Sequence, residues 1–327
     1  MRAVRYHEFG DPDVLQLEEI PRLDPNPDEV LLAVEAIGVN PCDALRREGL
    51  WGDDLPLITG SDVAGTVEAA GDRVSAFAAG DRVFGTIPRL NSTGGRGDRQ
   101  GACAEYVVVR EDRLAPLPDG VSATVGAGIG IVGITAWRAL RRFGSLEAGD
   151  ACLVHGGSGG VGHVAVQLAS ALGATVIATA SDERADAVRS FGADAVIDYD
   201  RPNGELEAAI AEVTDGVDVV LDHRIEEYVQ LDIDVSGYGG TVVVIGNNRD
   251  SPTIEDLTEA IGKDLTIQPM DAFSEPHIDS VLRRLGALLR RDRLTVAVAE
   301  TYDLEETAAA QRAVMNDSFT GKLVIEP

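Results

Sequence analysis

The sequence predicts an α/β chain in which a mainly β segment is joined to a doubly wound parallel sheet. Three observations carry that prediction. Residues 1–120 read as short strands broken by Gly, Pro, Asn and Asp. From about residue 122 strands alternate with helical spacing, the pattern of a parallel sheet covered on both faces. At His155-Gly156-Gly157-Ser158-Gly159-Gly160-Val161-Gly162 a glycine-rich string follows an apolar strand and opens a helix.

In the first segment Ala3–Tyr6, Val30–Gly38, Val63–Ala70 and Tyr106–Val109 have strand patterning, with alternating apolar positions clearest in the second. Pro88–Gly101, with Asn91-Ser92-Thr93-Gly94-Gly95, reads as a flexible loop, either a cover for a substrate entrance or a surface insertion. In the second segment Ala151–His155 is a strand and Val161–Leu172 a helix. Thr175–Thr179 is the next strand, and Glu183–Phe191 a helix stopped by Gly192. Ala195–Ile197, Val217–Leu221 and Thr241–Ile245 continue the strand series. A helix at Ile278–Arg290, a strand at Thr295–Val298, a helix at Leu304–Met315 and a strand at Lys322–Ile325 close the chain. Periodicity leaves open whether this last part extends the parallel sheet or returns to the first segment.

Composition narrows the setting. No apolar run reaches the roughly 18 residues that would span a bilayer, the N-terminus lacks a signal-peptide shape, and Cys42, Cys103 and Cys152 have no framework spacing. A cytoplasmic protein is expected. Fifty-five acidic residues against 28 basic ones give a net charge of −27, and the only lysines are Lys263 and Lys322. GC-rich coding explains Arg in place of Lys but not the acidic excess, which repels itself in dilute buffer. Screening at about 1 M salt, where the Debye length is about 3 Å, relieves that repulsion. A salt-rich, halophilic cytoplasm is therefore expected, and nucleic acid and anionic membranes are poor partners for such a surface.

The glycine string fits the G-x-G-x-x-G fingerprint at Gly157, Gly159 and Gly162, inside a βαβ unit of the Rossmann type. Its backbone amides at a helix N-terminus suit a pyrophosphate, with Ser158, Gly160 and Val161 completing the turn. An NAD site usually carries an acidic residue at the end of the next strand, for the ribose 2′-hydroxyl. Here that strand ends in Ala180-Ser181 before Asp182-Glu183-Arg184. Ser181 and Arg184 suit a 2′-phosphate while Asp182 opposes one, and the balance favours NADPH. Gly246-Asn247 follows another sheet strand, at the end where ligands of such sheets bind.

Several strings together resemble the medium-chain dehydrogenase/reductase superfamily, in its zinc-free quinone oxidoreductase (zeta-crystallin-like) branch. They are Val39-Asn40-Pro41-Cys42-Asp43 with Arg47-Glu48-Gly49, Gly60-Ser61-Asp62-Val63-Ala64-Gly65, and Gly80-Asp81-Arg82-Val83-Phe84. Ala104-Glu105-Tyr106-Val107-Val108, Gly133-Ile134-Thr135-Ala136-Trp137, Ile197-Asp198-Tyr199 and Gly321-Lys322-Leu323-Val324 continue the match in order along nearly the whole chain. The resemblance implies a GroES-like catalytic domain from residues 1–122 and 267–327, around a Rossmann domain at 123–266.

Zinc-dependent relatives carry Cys where this chain has Asn40, and a His-Glu pair where it has Ser61-Asp62. Zinc favours Cys, His and carboxylate ligands, so no metal is expected. Without a Lewis acid, hydride transfer rests on positioning and hydrogen bonding. That suits quinones and α,β-unsaturated carbonyls better than unactivated alcohols. By the resemblance, Asn40 and Thr135 line the nicotinamide pocket, Asp43 orients Asn40 or relays a proton, Arg184 and Tyr199 hold the 2′-phosphate, and Lys322 lies near a cofactor phosphate. One departure bears on substrate: quinone-reducing relatives often have a tyrosine where this chain has Leu45.

The expected function is a zinc-independent, NADPH-dependent reduction of a quinone or activated alkene by a homodimer, the dimer by family analogy alone. The alternatives are a 2-enal or enone reductase, and a non-enzymatic NADPH-binding protein of structural or regulatory role. None of the five histidines shows ligand spacing, and His155 is expected to pack or bond near the pyrophosphate.

Overall fold

A computed structural model describes every residue except 53, 88–100 and 247–249. Pro88–Arg99 and most of the glycine-rich loop around it therefore lie outside the described residues, as does Asn247. The chain divides into two compact units: Met1–Ile134 with Glu275–Pro327, and Thr135–Ser274. Both ends of the chain thus contribute to the first unit. The divisions fall after residues 134 and 274, where the sequence reading placed them after 122 and 266.

Along the chain, β1 (Arg2–Tyr6), β2 (Gln16–Glu19) and β3 (Glu29–Gly38) precede the short helix α1 (Pro41–Arg47). Then come β4 (Leu57–Ile58), β5 (Asp62–Ala70), β6 (Arg82–Thr86), β7 (Tyr106–Arg110) and β8 (Leu114–Pro116). Helix α2 (Ala123–Trp137) leads through a π-helical stretch, Arg138–Phe143, to β9 (Ala151–Val154). The second unit continues with α3 (Gly160–Leu172), β10 (Thr175–Ala180), α4 (Ala185–Ser190), β11 (Ala195–Asp198), α5 (Asn203–Ala211) and β12 (Val217–Asp222). It ends with α6 (Ile225–Val235), β13 (Ser236–Val244), α7 (Leu257–Gly262) and β14 (Thr266–Pro269). The chain closes with α8 (Ile278–Leu289), β15 (Val298–Asp303), α9 (Thr307–Asn316) and β16 (Lys322–Glu326).

In the first unit the main sheet runs β15-β16-β3-β5-β6-β8, with β7 also paired to β3, and a small sheet runs β2-β1-β4. β3 is the hub: it pairs antiparallel with β5, β7 and β16, and its Val30, Leu32, Val34 and Ile37 enter a core with Val63, Val67, Val107 and Ile325. The register sets Gly38 opposite both Asp62 and Val324. That brings the residues before α1, at the start of β5 and at the start of β16 to one end of the sheet.

The second unit is a six-stranded sheet in the order β11-β10-β9-β12-β13-β14, and every pair is parallel. Its core joins Leu153, Ile177, Val220 and Val242 to Ile210, Val229 and Ile233 of the covering helices. This order places β9 beside both β10 and β12, so the carboxyl ends of these three strands open side by side, where ligands of such sheets bind.

Two local expectations need correction. The strand sought at Thr295–Val298 starts instead at Val298 and runs to Asp303. It is an edge strand held by parallel pairing to β16, so it lacks the apolar alternation that drew attention to the preceding residues. Residues 182–184 form a 3-10 turn before α4, shortening that helix at its start. No uninterrupted apolar run reaches about 18 residues, but one helix among the described residues is long and apolar enough by composition to cross a membrane. Ala123–Phe143 is a continuous 21-residue helical stretch of mean hydropathy 1.4, but 78% of its apolar window is buried within the protein, as in a core helix.

Candidate functional site

Two polar constellations stand out, one in each unit. In the first, Asn40 ends the chain segment leaving β3 in an extended conformation and Pro41 starts α1, a favoured place for proline because its missing N–H has no partner to lose there. Asp43, in the first turn of α1, reaches back so that its Oδ2 accepts the Asn40 backbone N–H at 3.2 Å, and its Oδ1 accepts the Ser61 hydroxyl at 2.5 Å. The Asn40 amide donates to Asp62 Oδ2 at 2.9 Å and to the Gly38 carbonyl at 3.3 Å. Its oxygen accepts from Lys322 Nζ at 2.6 Å, and the same ammonium donates to the Val39 carbonyl at 2.5 Å.

The orientation of the Asn40 amide is thereby fixed: an ammonium has only donors, a carboxylate only acceptors. Both amide hydrogens are used, leaving one lone pair of Oδ1 for any further partner. Asp62 is held from the opposite side by α2, where its Oδ1 accepts the Ile131 N–H at 2.9 Å. Gly130 makes that approach possible, since a Cβ there would lie 2.2 Å from Asp62 Oδ1.

Asn40, Asp43, Ser61, Asp62 and Lys322 are all buried. Burial pushes the Asp62 carboxyl up to about 7, against the pull of Lys322 and of the Asn40 hydrogen bond. Burial likewise raises Asp43 and lowers Lys322, the latter against the pull of Asp62 and Asp43. One ammonium thus faces two carboxyls in a dry environment, where unpaired charge is costly.

The site does not fit zinc. Its donors are an amide already bound to an ammonium, a hydroxyl committed to Asp43, and a carboxylate held on both oxygens. Among the described residues there is no cluster of three or more His, Cys, Asp or Glu arranged to hold a metal. The Lys322 ammonium donates to the Val39 carbonyl and the Asn40 oxygen because β16 enters the sheet beside β3 and buries it.

In the second unit the glycine string leaves β9 and closes a tight turn: Gly157 N–H donates to the Thr179 carbonyl at 2.8 Å, and Gly159 N–H to the Gly156 carbonyl at 3.0 Å. Gly159 caps α3. A Cβ on Gly162 would lie 2.0 Å from the Gly156 carbonyl oxygen, so only glycine lets α3 start this close to the turn. The first amides of a 13-residue helix lack internal partners, and this cradle fits a pyrophosphate.

At the neighbouring strand ends, Ser181 follows β10 and Tyr199 follows β11, and the register pairs Ala180 with Asp198 immediately before them. Arg184 Nη1 donates to Ser181 Oγ at 3.0 Å. The structure therefore gathers Ser181, Arg184 and Tyr199 at the same sheet edge as the turn. Gly246 is exposed just beyond β13. Thr135 is buried in α2 and belongs to the second unit, whereas Asn40 and Asp43 belong to the first.

A third group lies at the glycine turn; sequence reasoning expected His155 to pack or bond there but missed its partners. His155 Nε2 lies 2.9 Å from Asp232 Oδ1, and its ring stacks on Tyr228 with centroids 4.3 Å apart and planes 1° from parallel. Asp222, at the end of β12, adjoins Asp232. No local motif marks these residues, which meet only through the sheet order.

A doubly wound sheet with this turn, in a chain whose other unit is built from both chain ends, defines a dinucleotide-binding oxidoreductase architecture. Residues 26–119 match the alcohol dehydrogenase GroES-like domain family, and residues 160–286 the zinc-binding dehydrogenase family. A quinone oxidoreductase of Mus musculus is 34% identical over 99% of this chain and 97% of its own. Among solved structures, an NAD-dependent alcohol dehydrogenase superposes with a TM-score of 0.90 at 28% identity, covering 100% of each chain. An Escherichia coli quinone oxidoreductase complexed with NADPH does so with a TM-score of 0.89 at 27% identity, again over 100% of each chain. The chain belongs to the medium-chain dehydrogenase/reductase superfamily.

Proposed function

We propose that this protein is a zinc-independent, NADPH-dependent oxidoreductase that reduces a quinone or another activated, electron-poor alkene. The observation that carries the reading is the Lys322 ammonium bound to Asn40 where zinc-dependent relatives place metal ligands. A fixed cation of the chain's own stands in that neighbourhood, so the substrate has to be electrophilic without a Lewis acid. Support for the substrate class comes from the quinone oxidoreductase of Mus musculus and its like. The NADPH complex of the Escherichia coli neighbour supports the cofactor.

The glycine turn holds the pyrophosphate through amides at the start of α3, joined by Ser158, Gly160 and Val161. Ser181, Arg184 and Tyr199 hold the 2′-phosphate, a charge-assisted contact stronger than a neutral hydrogen bond. The exposed backbone at Gly246, with Asn247 beyond the described residues, lies along the same strand ends. When bound, reduced nicotinamide supplies the hydride. Asn40 offers the free lone pair of its oxygen to a ligand hydroxyl or amide, and Asp43 acts as its orienter. Thr135 offers a hydroxyl to the carboxamide. The product's proton comes from solvent or a nearby polar group.

We further read the protein as a homodimer of a salt-rich cytoplasm. β14 is the outer strand of the six-stranded sheet, and Leu257 (58% exposed) and Ile261 (67% exposed) lie bare beside it. Unpaired sheet edges with apolar neighbours invite a second copy. Light scattering of native protein and Ile261→Glu tests this: the native protein runs as a dimer and the variant as a monomer.

The activity test is NADPH oxidation in molar KCl against a panel of quinones and a panel of enones. Turnover on quinones supports the reading; turnover on enones alone moves the substrate class; NADPH binding with no turnover on either overturns the enzymatic reading.

A further inference from the structure

We infer that Asp222 and Asp232 share a single proton, and that this buried acid pair positions the phosphate-binding glycine turn through His155 and Thr179. The inference rests on the reading of that turn as a cofactor cradle and adds a proton to it.

Buried carboxyl oxygens need hydrogen-bond partners. Both aspartates have 0% exposure. Asp222 Oδ1 accepts the Arg224 N–H at 2.6 Å, and Asp232 Oδ1 is bonded to His155 Nε2. The remaining oxygens, Asp222 Oδ2 and Asp232 Oδ2, are buried with no donor, yet the two carboxyls lie within hydrogen-bonding reach of each other. Two carboxylates cannot bond each other; one proton between them satisfies both oxygens at once. Burial works the same way, lifting Asp232 to about 8 and, together with repulsion from Asp232, Asp222 to about 7.

From Asp232 the chain of contacts runs upward. Burial holds the His155 ring neutral, so Nε2 carries the hydrogen given to Asp232. Its Nδ1 then accepts, and the Thr179 hydroxyl lies 3.4 Å from it. Thr179 Oγ1 in turn accepts the Gly156 N–H at 3.0 Å, and the Thr179 carbonyl accepts the Gly157 N–H. The first two amides of the turn are thus set by Thr179, whose hydroxyl is set by His155 and the acid pair. Tyr228 packs flat on the His155 ring, and the neighbouring titratable groups are His223, Arg224, Glu226 and Glu227. Loss of the shared proton puts two negative charges in contact below a site built for an anionic pyrophosphate.

Asp232→Asn tests the inference, because an asparagine there accepts from His155 and donates to Asp222, imitating the protonated pair at constant charge. NADPH dissociation constants are measured by fluorescence at about pH 6.5 and about pH 9, on either side of the pair's range. The cofactor's own phosphate titrates equally in both proteins, so only the difference between them reads the pair. The native Kd rises about fivefold or more relative to the variant, the low end of coupling between linked sites. The infrared spectrum of native protein shows a protonated-carboxyl band that Asp232→Asn, or Asp222→Asn if the first variant does not fold, removes. Parallel binding profiles, or no such band difference, overturn the inference. Absence of NADPH binding by native protein at every pH overturns the cofactor reading instead, and the infrared difference still decides the shared proton.

Discussion

The Lys322 ammonium lies 2.6 Å from the Asn40 amide oxygen, so a residue near the end of the chain fixes one at the close of β3. The pair is the centre of a closed set in which Asn40 also holds Asp62 and Asp43 holds Ser61. Removing the cation leaves Asp62 buried without its countercharge and Asp43 with the pull of Arg46 alone. Lys322→Met is expected to destabilise the protein by about 3–5 kcal/mol, the usual cost of orphaning a buried charge. Adding Asp62→Asn is expected to restore part of that loss, which denaturant unfolding of the single and double variants checks.

The glycine turn gives a second prediction. Gly162→Ala forces a methyl group into the space 2.0 Å from the Gly156 carbonyl, so α3 must withdraw from the turn. Stability is expected to fall by about 1–3 kcal/mol, as for other overpacked sites. Cofactor affinity falls further than stability, because the amides at the helix start move off the pyrophosphate. Fluorescence titration beside thermal unfolding separates the two effects.

Arg184 discriminates between cofactors in this account. Its guanidinium already bonds Ser181, so it is placed for a phosphate without reorganising. Arg184→Ala is expected to weaken NADPH binding by about 1.5–3 kcal/mol, the worth of a hydrogen bond to a charged group, and to leave NADH nearly unchanged. Equal losses for the two cofactors, measured by titration, contradict the 2′-phosphate assignment.

Much of this was legible in the sequence, and the rest was not for physical reasons. Strand–helix alternation and the glycine fingerprint are local patterns, so the parallel sheet and its cradle could be read directly. Asn40, Asp43 and Ser61-Asp62 were visible through their motifs, but their mutual bonding was not, since it depends on the register of β3 against β5 and β16. The partners of Lys322 were hidden for the same reason: its motif marks a position, while Val39 and Asn40 lie nearly three hundred residues earlier. His155 and Asp232, 77 residues apart, meet because β9 and β12 are adjacent and α6, which carries Asp232, packs against β12; no spacing rule reveals this. β14 went unnoticed because its four residues, Thr-Ile-Gln-Pro, form an edge strand with little apolar content.

The acidic surface supplies a fourth prediction. With a net charge of −27, self-repulsion opposes the folded state in dilute buffer and is screened in concentrated salt. The melting temperature is expected to rise by several degrees between dilute buffer and about 1 M KCl, where the screening length is about 3 Å. An unchanged melting temperature removes the argument for a salt-rich setting.

The most direct test of metal-free hydride transfer is the rate of quinone-dependent NADPH oxidation before and after exhaustive dialysis against a chelator. The rate is predicted to be the same in both, because Lys322 and Asn40 occupy the neighbourhood a metal would need. A rate lost on chelation and restored by added zinc contradicts it.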